Sequence, residues 1–325
     1  MAKENLPVVF GPVLSRRFGK SLGVDLSPSK KQCNYNCIYC ELGKAKPIEC
    51  MEEVIKVETL INAIQNALNN LATPIDVLTI TANGEPTLYP HLLELIQSVK
   101  PFLKGVKTLI LSNGSLFYEP KVQQALKEFD IVKFSLDAID LKAFERVDKP
   151  YSKDINKILE GILSFSQIYQ GQLVAEVLLI KGVNDSANNL KLIADFLKQI
   201  NIARVDLSTI DRPSSFKAPK LSEDELLKCS LFFEGLCVSL PKRSTAQADQ
   251  AKKLISCGID ELLALISRRP LSAEEAPLIL DPNAFRHLET LLNHKQITIK
   301  KVGSLEFYCA CHSSVTLKSL GSSSK

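Results

Sequence analysis

Cys33, Cys37 and Cys40 stand in the run KQCNYNCIYC, with Tyr39 as the aromatic just before the last of them. Three thiolates this close on one loop can hold three irons of a [4Fe–4S] cluster. No fourth cysteine follows at short spacing, so the fourth iron would be open to a ligand that is not protein. Other uses of the three thiols suit the pattern less well. A zinc site wants cysteine pairs and four ligands, and Cys50, the nearest extra thiol, is poorly placed for that. A disulfide would leave one cysteine over and needs an oxidising compartment.

A ligand held there needs a scaffold, and the sequence supplies a repeating one. Apolar, β-branched runs at Val24–Leu26, Val77–Thr81, Thr108–Leu111, Ile131–Leu136, Leu173–Ile180 and Arg204–Ile210 read as strands. Between them, Val57–Leu71, His91–Leu103, Pro120–Phe129, Ile155–Tyr169 and Asp185–Ile200 carry helical periodicity. This α/β alternation implies right-handed crossovers and a parallel sheet. Six strands fit a partial (β/α)6 barrel better than a closed eight-stranded one, while periodicity alone leaves a doubly wound sheet open. Thr79, Thr81 and Asn83 share one strand face, as do Lys133, Ser135 and Asp137; Glu176 is mid-strand, and Asp206 shares a face with Ser208. Helices cover the outer face of such a sheet. The polar set is therefore expected to face a lumen that surrounds a polar ligand.

In parallel α/β folds, ligands sit at the C-terminal ends of the strands. The first strand runs straight into the cysteine loop, and the second ends in NGEPTL. Alone, Gly84-Glu85-Pro86 is a turn, in which glycine permits close approach and proline fixes φ. The segments SNG (Ser112–Gly114), SLDA (from Ser135), IKGVND (Ile180–Asp185) and LSTIDRP (Leu207–Pro213) close the next four strands, and each also reads as turn or cap chemistry, Asp185 as a helix cap for instance.

The CxxxCxxC spacing with its aromatic, followed one strand later by GEP, resembles the radical SAM superfamily. The resemblance implies the same partial barrel, a [4Fe–4S] cluster on Cys33, Cys37 and Cys40, and S-adenosylmethionine chelating the open iron. An electron from a flavodoxin- or ferredoxin-type donor then breaks a carbon–sulfur bond and frees a 5′-deoxyadenosyl radical; the protein aims and shields it. The cofactor contacts implied are Tyr39, Gly84, Glu85, Pro86, Asn113, Ser135, Asp137, Gly182 and Thr209. Glu85 and the backbone around it would receive the methionine ammonium, Ser135 and Asp137 the ribose or carboxylate, and Gly182 and Thr209 would lie near adenine. No residue is assigned a catalytic role.

Together with CNYNCIYCELG and GEPTLYP, the upstream segment FGPVLSRRFGKSLGVDLSPS resembles the bacterial radical SAM proteins grouped with the wyosine-base-forming tRNA radical enzymes, over roughly residues 8 to 213. Those enzymes carry a second cluster on cysteines N-terminal to the motif, and this chain has no cysteine before Cys33. Arg16 and Arg17 either grip a substrate phosphate or carboxylate or are a solvated basic pair.

Beyond residue 220 the pattern changes. Ser222 with Glu225 makes a capping box opening a helix to about Leu236. After a polar stretch, a helix over Ile259–Arg269, a second opened by Ser272 and Glu275 to about Leu280, a third opened by Asp281-Pro282 to about His294, and a hairpin around Gly303 resemble a winged-helix α+β module. Its third helix offers Arg286, His287 and His294 and its hairpin Lys300 and Lys301, for nucleic acid or for protein docking. The expected organisation is a core domain over 1–220, a connecting helix and linker over 221–245, the module over 246–312 and a disordered tail over 313–325. On this division, the module recognises substrate and is separable from the radical chemistry. Cys309, Cys311 and His312 form a CACH run that is either incidental or part of a second metal site.

Composition bounds the remainder. The chain has 325 residues, 40 basic against 36 acidic, and 45% hydrophobic content. A net charge of +4 is too mild to argue nucleic-acid binding by itself. No apolar run reaches a membrane span of ~20 residues, the N-terminus lacks the design of a signal peptide, and nine cysteines read as thiols and metal ligands in a reducing cytoplasm. Three functions compete: an enzyme modifying a large substrate such as tRNA; a maturase or activase acting on a protein or peptide; and an iron–sulfur redox sensor that binds DNA.

Overall fold

Eight strands hydrogen-bond side by side in the order in which they occur in the chain. The structure is a computed structural model and describes residues 7–15, 17–71, 73–214, 216–241, 257–303 and 305–311. The strands are β1 (Val9–Ser15), β2 (Gly19–Asp25), β3 (Val77–Thr81), β4 (Lys107–Ser112), β5 (Ile131–Ser135), β6 (Gln172–Leu179), β7 (Arg204–Thr209) and β8 (Val238–Ser239). From β2 to β8 all pairs are parallel, and β1 is antiparallel to β2. Sequential order with right-handed crossovers stacks every helix on the same face. A doubly wound sheet would reverse its order at a switch point, so that alternative is gone.

Those helices are α1 (Val57–Asn69), α2 (Leu92–Val99), α3 (Pro120–Leu126), α4 (Leu141–Val147), α5 (Ile155–Ile168), α6 (Ala187–Leu197) and α7 (Glu223–Ser230). Strand parity shows the single-sided burial directly. Leu78, Ile80, Ile110, Val132, Phe134, Ala175, Val177, Val205 and Leu207 join helix residues such as Leu60, Leu95, Ile162, Phe165 and Ile193 in one core. Their strand neighbours Val77, Leu109, Ile131 and Val174 point the other way and pack on Phe18 as a small apolar floor. Above that floor the same face turns polar with Ser21, Thr79, Lys133, Glu176 and Asp206, the alternation expected of a lumen.

All six expected strands are present, but two more flank them. The segment containing Gly11-Pro12 forms β1, an edge strand whose register slips between Phe10 and Val13; an edge with a bulge is where a strand tolerates proline. Residues Val238–Ser239 form β8 on the opposite edge. The expected helix over His91–Leu103 ends at Val99 and passes into a 3₁₀ turn at Pro101, and Leu141–Val147 adds a helix not anticipated. Asp185 does not cap α6: Ser186 does, accepting from Asn189 N, while Asp185 accepts from Gly182 N at 2.8 Å and closes its turn. The Ser222–Glu225 capping box is formed, although α7 stops at Ser230 and a 3₁₀ turn follows.

The C-terminal module runs α8 (Ile259–Arg268), β9 (Leu271–Ser272), α9 (Ala276–Ile279), α10 (Pro282–Asn293), β10 (Ile297–Val302) and β11 (Leu305–Ala310), with sheet order β10-β11-β9. Ser272 pairs with Phe307 in the sheet, and its hydroxyl accepts from Glu275 N at 3.0 Å as expected of the pair, but helix begins only at Ala276, which leaves α9 with one turn. Asp281 does cap α10, accepting from Ala284 N. The module has its own core of Leu262, Leu265, Ile266, Leu271, Leu280, Leu288, Leu291 and Ile297, yet Phe10 and Val13 of β1 pack into its edge. Arg16, His312, residues 242–256 and the tail from 313 lie outside the described residues. Among the described residues no helix is long and apolar enough to cross a membrane.

Gly161 of α5 gives a direct test of this packing. A Cβ there would lie 2.4 Å from Tyr118 N and 2.8 Å from the Phe117 carbonyl carbon. Helix propensity favours Gly161→Ala by ~1 kcal/mol, whereas overpacking against backbone costs about 1–3 kcal/mol. The expected outcome in urea unfolding is net destabilisation; a more stable variant would mean that α5 and the 117–118 turn are not in contact.

Candidate cofactor and substrate site

The cysteine loop leaves the C-terminal end of β2 and is zipped to the GEP turn by backbone. Gln32 N donates to Asn83 O at 2.8 Å and Glu85 N donates to Gln32 O at 3.0 Å. Gly84, at φ +150°, makes this possible, because a Cβ there would stand 1.7 Å from Gln32 O. The Gln32 side chain is fully buried. It donates to Ser27 Oγ and Glu53 O and accepts from Glu52 N and Glu53 N, so it pins the loop to the 50s segment as well. Cys33 follows immediately.

Glu85 is 1% exposed, and both of its carboxylate oxygens accept from protein donors. Oε1 accepts from Thr87 N at 3.0 Å, Thr87 Oγ1 at 2.7 Å and Ser112 Oγ at 2.7 Å, and Oε2 accepts from Asn113 N at 2.6 Å. Burial raises its pKa while these bonds oppose the rise. In this structure Glu85 therefore ties the loop after β3 to the loop after β4. Asn113 in turn donates from Nδ2 to Asn34 Oδ1 at 2.8 Å, with Cys33 Sγ 3.9 Å away, and Asn34 donates to Ser115 Oγ at 2.7 Å.

Each cysteine of the motif has a different neighbour. Cys33 Sγ accepts from Tyr35 N at 3.3 Å, Cys37 Sγ lies 3.4 Å from Asp148 Oδ1, and Cys40 Sγ lies 3.4 Å from Lys31 Nζ. Burial, then the charge of Glu85, pushes the Cys33 thiol up to about 12, and burial with Asp148 beside it drives Cys37 upward too. As they stand, no three His, Cys, Asp or Glu side chains among the described residues converge on a metal position. The donor set still fits an iron–sulfur cluster in kind: three thiols on one short loop, close enough that Cys33 and Cys40 each raise the pKa of Cys37. With the Cys33 and Cys37 thiols held protonated, metal loading would release protons.

Tyr39, Asn113, Ser135 and Asp137 come together around a small cleft beside the loop, with Asp148 and Tyr35. The Tyr39 hydroxyl donates to Asp137 Oδ2 at 2.5 Å, and Asp137 Oδ1 accepts from Leu178 N at 2.7 Å. Burial moves Asp137 from 3.8 up to about 7, and burial with the Asp137 charge raises Asp148 as well. Gly182 and Thr209 line neither this cleft nor the lumen. Gly182 sits in its own turn at φ +71°, and Thr209 Oγ1 donates to Leu179 O and accepts from Leu221 N. Asp25, Gln32, Asn34 and Asp148 escaped the sequence reading. Only Asp25 carried a signal, as a carboxylate ending the first strand.

The lumen opens into a cavity of about 390 Å³ bordered by Glu41 and Leu42 just after the cysteine motif, strands β1 to β6 and the end of α8. Thr79, Thr81, Asn83, Lys133 and Glu176 line it, as parity requires. Deeper, Lys133 pairs with Glu176 at 2.7 Å and with Asp206 at 3.3 Å, and Asp206 also takes Arg17 at 3.1 Å and Arg204 at 2.6 Å. Arg17 is therefore lumen-facing rather than a solvated cation. Nearer the mouth, Arg212 pairs with Glu41 at 3.1 Å and Arg269 with Glu275 at 2.6 Å.

The profile of the Radical SAM superfamily matches residues 29–193. A UPF0026 protein of Helicobacter pylori (strain J99) is 96% identical over 95% of this chain and 100% of its own length. Among solved structures, TYW1 with a lysine-pyruvate adduct bound aligns with TM-score 0.50 at 22% identity, covering 66% of this chain and 74% of that one. Streptococcus suis SuiB bound to precursor peptide SuiA aligns with TM-score 0.53 at 16% identity, covering 70% and 50%. At these identities the two structures speak to the fold, and both share it.

Two measurements on iron-free protein check this geometry. Glu85→Ala would leave four donors without their acceptor. At about 1–3 kcal/mol for each buried unsatisfied group, stability should fall by roughly 3 kcal/mol or more; a variant as stable as wild type would return Glu85 to a purely ligand-facing role. Asp137, with its pKa raised above the unfolded value, binds more protons when folded, so stability should fall as pH rises from about 4 to about 7. Asp137→Asn should flatten that slope in urea titrations at pH 5 and pH 7.5, and an unchanged slope would place the titration elsewhere.

Proposed function

Since the chain belongs to the radical SAM superfamily, and within it to the UPF0026 proteins, we propose that it is an enzyme whose Cys33, Cys37 and Cys40 hold a [4Fe–4S] cluster with one iron open to S-adenosylmethionine, and that its substrate is a tRNA base. Proteins of this superfamily use both cofactors. When bound, they supply a carbon-centred radical at the 5′ position of the adenosyl group, which takes a hydrogen atom from substrate. The chain's own residues do the rest. Gln32 and Gly84 fix the cysteine loop against the GEP turn, and Glu85 fixes that turn against Asn113. Tyr39, Asn113, Ser135 and Asp137 offer polar groups beside the cluster position. The GEP backbone is the place for the methionine ammonium, with Glu85 holding it in position.

The observation that carries this reading is the backbone pairing of the cysteine loop with the GEP turn, beside a cavity that Glu41, Asn83 and the polar lumen residues line. A volume of about 390 Å³ suits a reacting group of nucleobase size better than a whole macromolecule, so a large substrate would insert one residue and dock the remainder outside. Surfaces for docking are at hand. Lys44 and Lys149 both lie over the Phe216 ring, at 4.3 and 4.8 Å, on the loop that also carries Arg212. Cations around an aromatic face suit a stacked base with its phosphates. We read the C-terminal α8-to-β11 unit as a winged-helix-like module presenting Lys300 and Lys301; Lys301 is partly engaged by Glu306 at 3.0 Å. The electron donor is a flavodoxin- or ferredoxin-type protein, and the setting is the cytoplasm. The similarities found lend nothing to a DNA-binding regulator.

Anaerobic reconstitution should load about four irons and four sulfides, and with reductant the protein should convert S-adenosylmethionine to 5′-deoxyadenosine and methionine. Alanine at Cys33, Cys37 or Cys40 should abolish both; turnover by a cluster-free preparation would sink the assignment. For the substrate, mass spectrometry of tRNA nucleosides from wild-type and deletion cells should show one nucleoside lost and its precursor accumulated. Identical nucleoside profiles would move the substrate to a protein or peptide.

A further inference from the structure

The C-terminal module meets the sheet through the end of one helix. Arg268, the last residue of α8, donates from Nε to Asp25 Oδ2 at 2.7 Å and from one terminal nitrogen to Pro7 O at 2.6 Å, and its guanidinium lies 5.0 Å from the Phe10 ring centroid. Its other terminal nitrogen donates to Ala264 O at 3.0 Å, which fixes the side chain on its own helix. The two side chains of the ion pair are 5% and 1% exposed, and both border the cavity, so the pair is largely shielded from water at the cavity's edge. Asp25 ends β2, and its second oxygen accepts from Ser27 N and from Asn83 N, both at 2.9 Å. Those two amides open the cysteine loop and the GEP turn respectively. One carboxylate thus starts both loops, and its counter-charge comes from 243 residues further along the chain.

We propose that Arg268 is a positioning residue for both loops, so that the C-terminal module is a structural part of the cofactor site as well as a wall of the cavity. A buried carboxylate stripped of its cation must take up a proton or draw in water, and either change loosens the two amides that it orders. Order in the cysteine loop then depends on α8 being docked against β1, and the radical site is built only when the module is in place. Removing residues 242–325 would therefore damage the cofactor site, contrary to the separable module expected from sequence. The restraint belongs to the iron-free protein, and only its consequence for catalysis rests on the cluster reading above.

Full-length iron-free Arg268→Met and Arg268→Lys proteins provide the test. Amide hydrogen exchange is followed by mass spectrometry, together with iodoacetamide alkylation of Cys33. In the methionine variant, exchange over residues 26–34 and 83–86 should rise about tenfold or more while β5, β6 and α10 stay within about twofold, with Cys33 alkylation rising in step. The lysine variant, which keeps the charge but not the fork, should fall between. A folded methionine variant with wild-type loop exchange would overturn the proposal, as would a rise spread evenly over the chain. Should the methionine variant fail to fold, the lysine variant decides, and wild-type exchange in its loops counts against the tie. Iron content of reconstituted wild type is measured in parallel. Absence of iron there would defeat the cluster reading and leave the restraint result standing.

Discussion

Asp25 is buried, and four segments of chain are arranged around it. Its own N–H reaches Val8 O at the start of β1; its carboxylate takes the amides of Ser27 and Asn83 and the guanidinium of Arg268. A charged acceptor binds two amides more strongly than a neutral one, and the cation beside it removes the penalty of burying the charge alone. Neither half of the arrangement stands without the other. The loops after β2 and β3 begin at fixed points because this one group fixes them, and everything placed further along those loops inherits that registration, from Gln32 on Gly84 to the cysteines.

The lumen shows a second constraint. Beside Phe18, which itself lines the cavity, lies a layer of Arg17, Lys133, Glu176, Arg204 and Asp206, paired among themselves. Buried ion networks seldom add stability over apolar side chains of equal volume, and barrels without a ligand fill such layers with branched residues. A sequence that keeps three cations and two carboxylates there is using them for something besides stability. The layer carries one net positive charge at the bottom of the cavity, in line below the loops that would hold the cofactors. An anionic or strongly polar end of a substrate would be drawn there.

Much of this was legible in the sequence, for identifiable reasons. The six parallel strands declared themselves through β-branched runs, and the lumen through parity, because both are local patterns of period two. β1 did not, since Gly11-Pro12 reads as a turn until the bulge that absorbs it is seen. The short α9 was overestimated because Ser272 has the capping residue type, and only the long-range pairing with Phe307 shows that it is a strand residue. The site divides the same way. Cysteine spacing and GEP are contiguous in the chain. The tie from Arg268 to Asp25 and the hold of Gln32 on Glu52 and Glu53 join distant residues, and no local pattern announces them.

Glu85 illustrates how a motif can be right about place while its residue types leave the role open. Carboxylate and ammonium are natural partners, and by type alone the GEP glutamate reads as the group that meets the cofactor. An ionised carboxylate has about two acceptor positions on each oxygen; here Thr87, through its amide and hydroxyl, and Ser112 crowd Oε1, while Asn113 N takes one position of Oε2. Two of those donors come from 27 and 28 residues downstream, so this engagement is invisible until the chain is folded. A cation bound at this turn would then find at most one position of Oε2 open, with carbonyl oxygens supplying the other contacts and Glu85 holding the turn's shape. Gly84 fits that division of labour. The residue that lets Gln32 come within hydrogen-bonding reach also leaves the backbone of the turn uncovered by any side chain of its own.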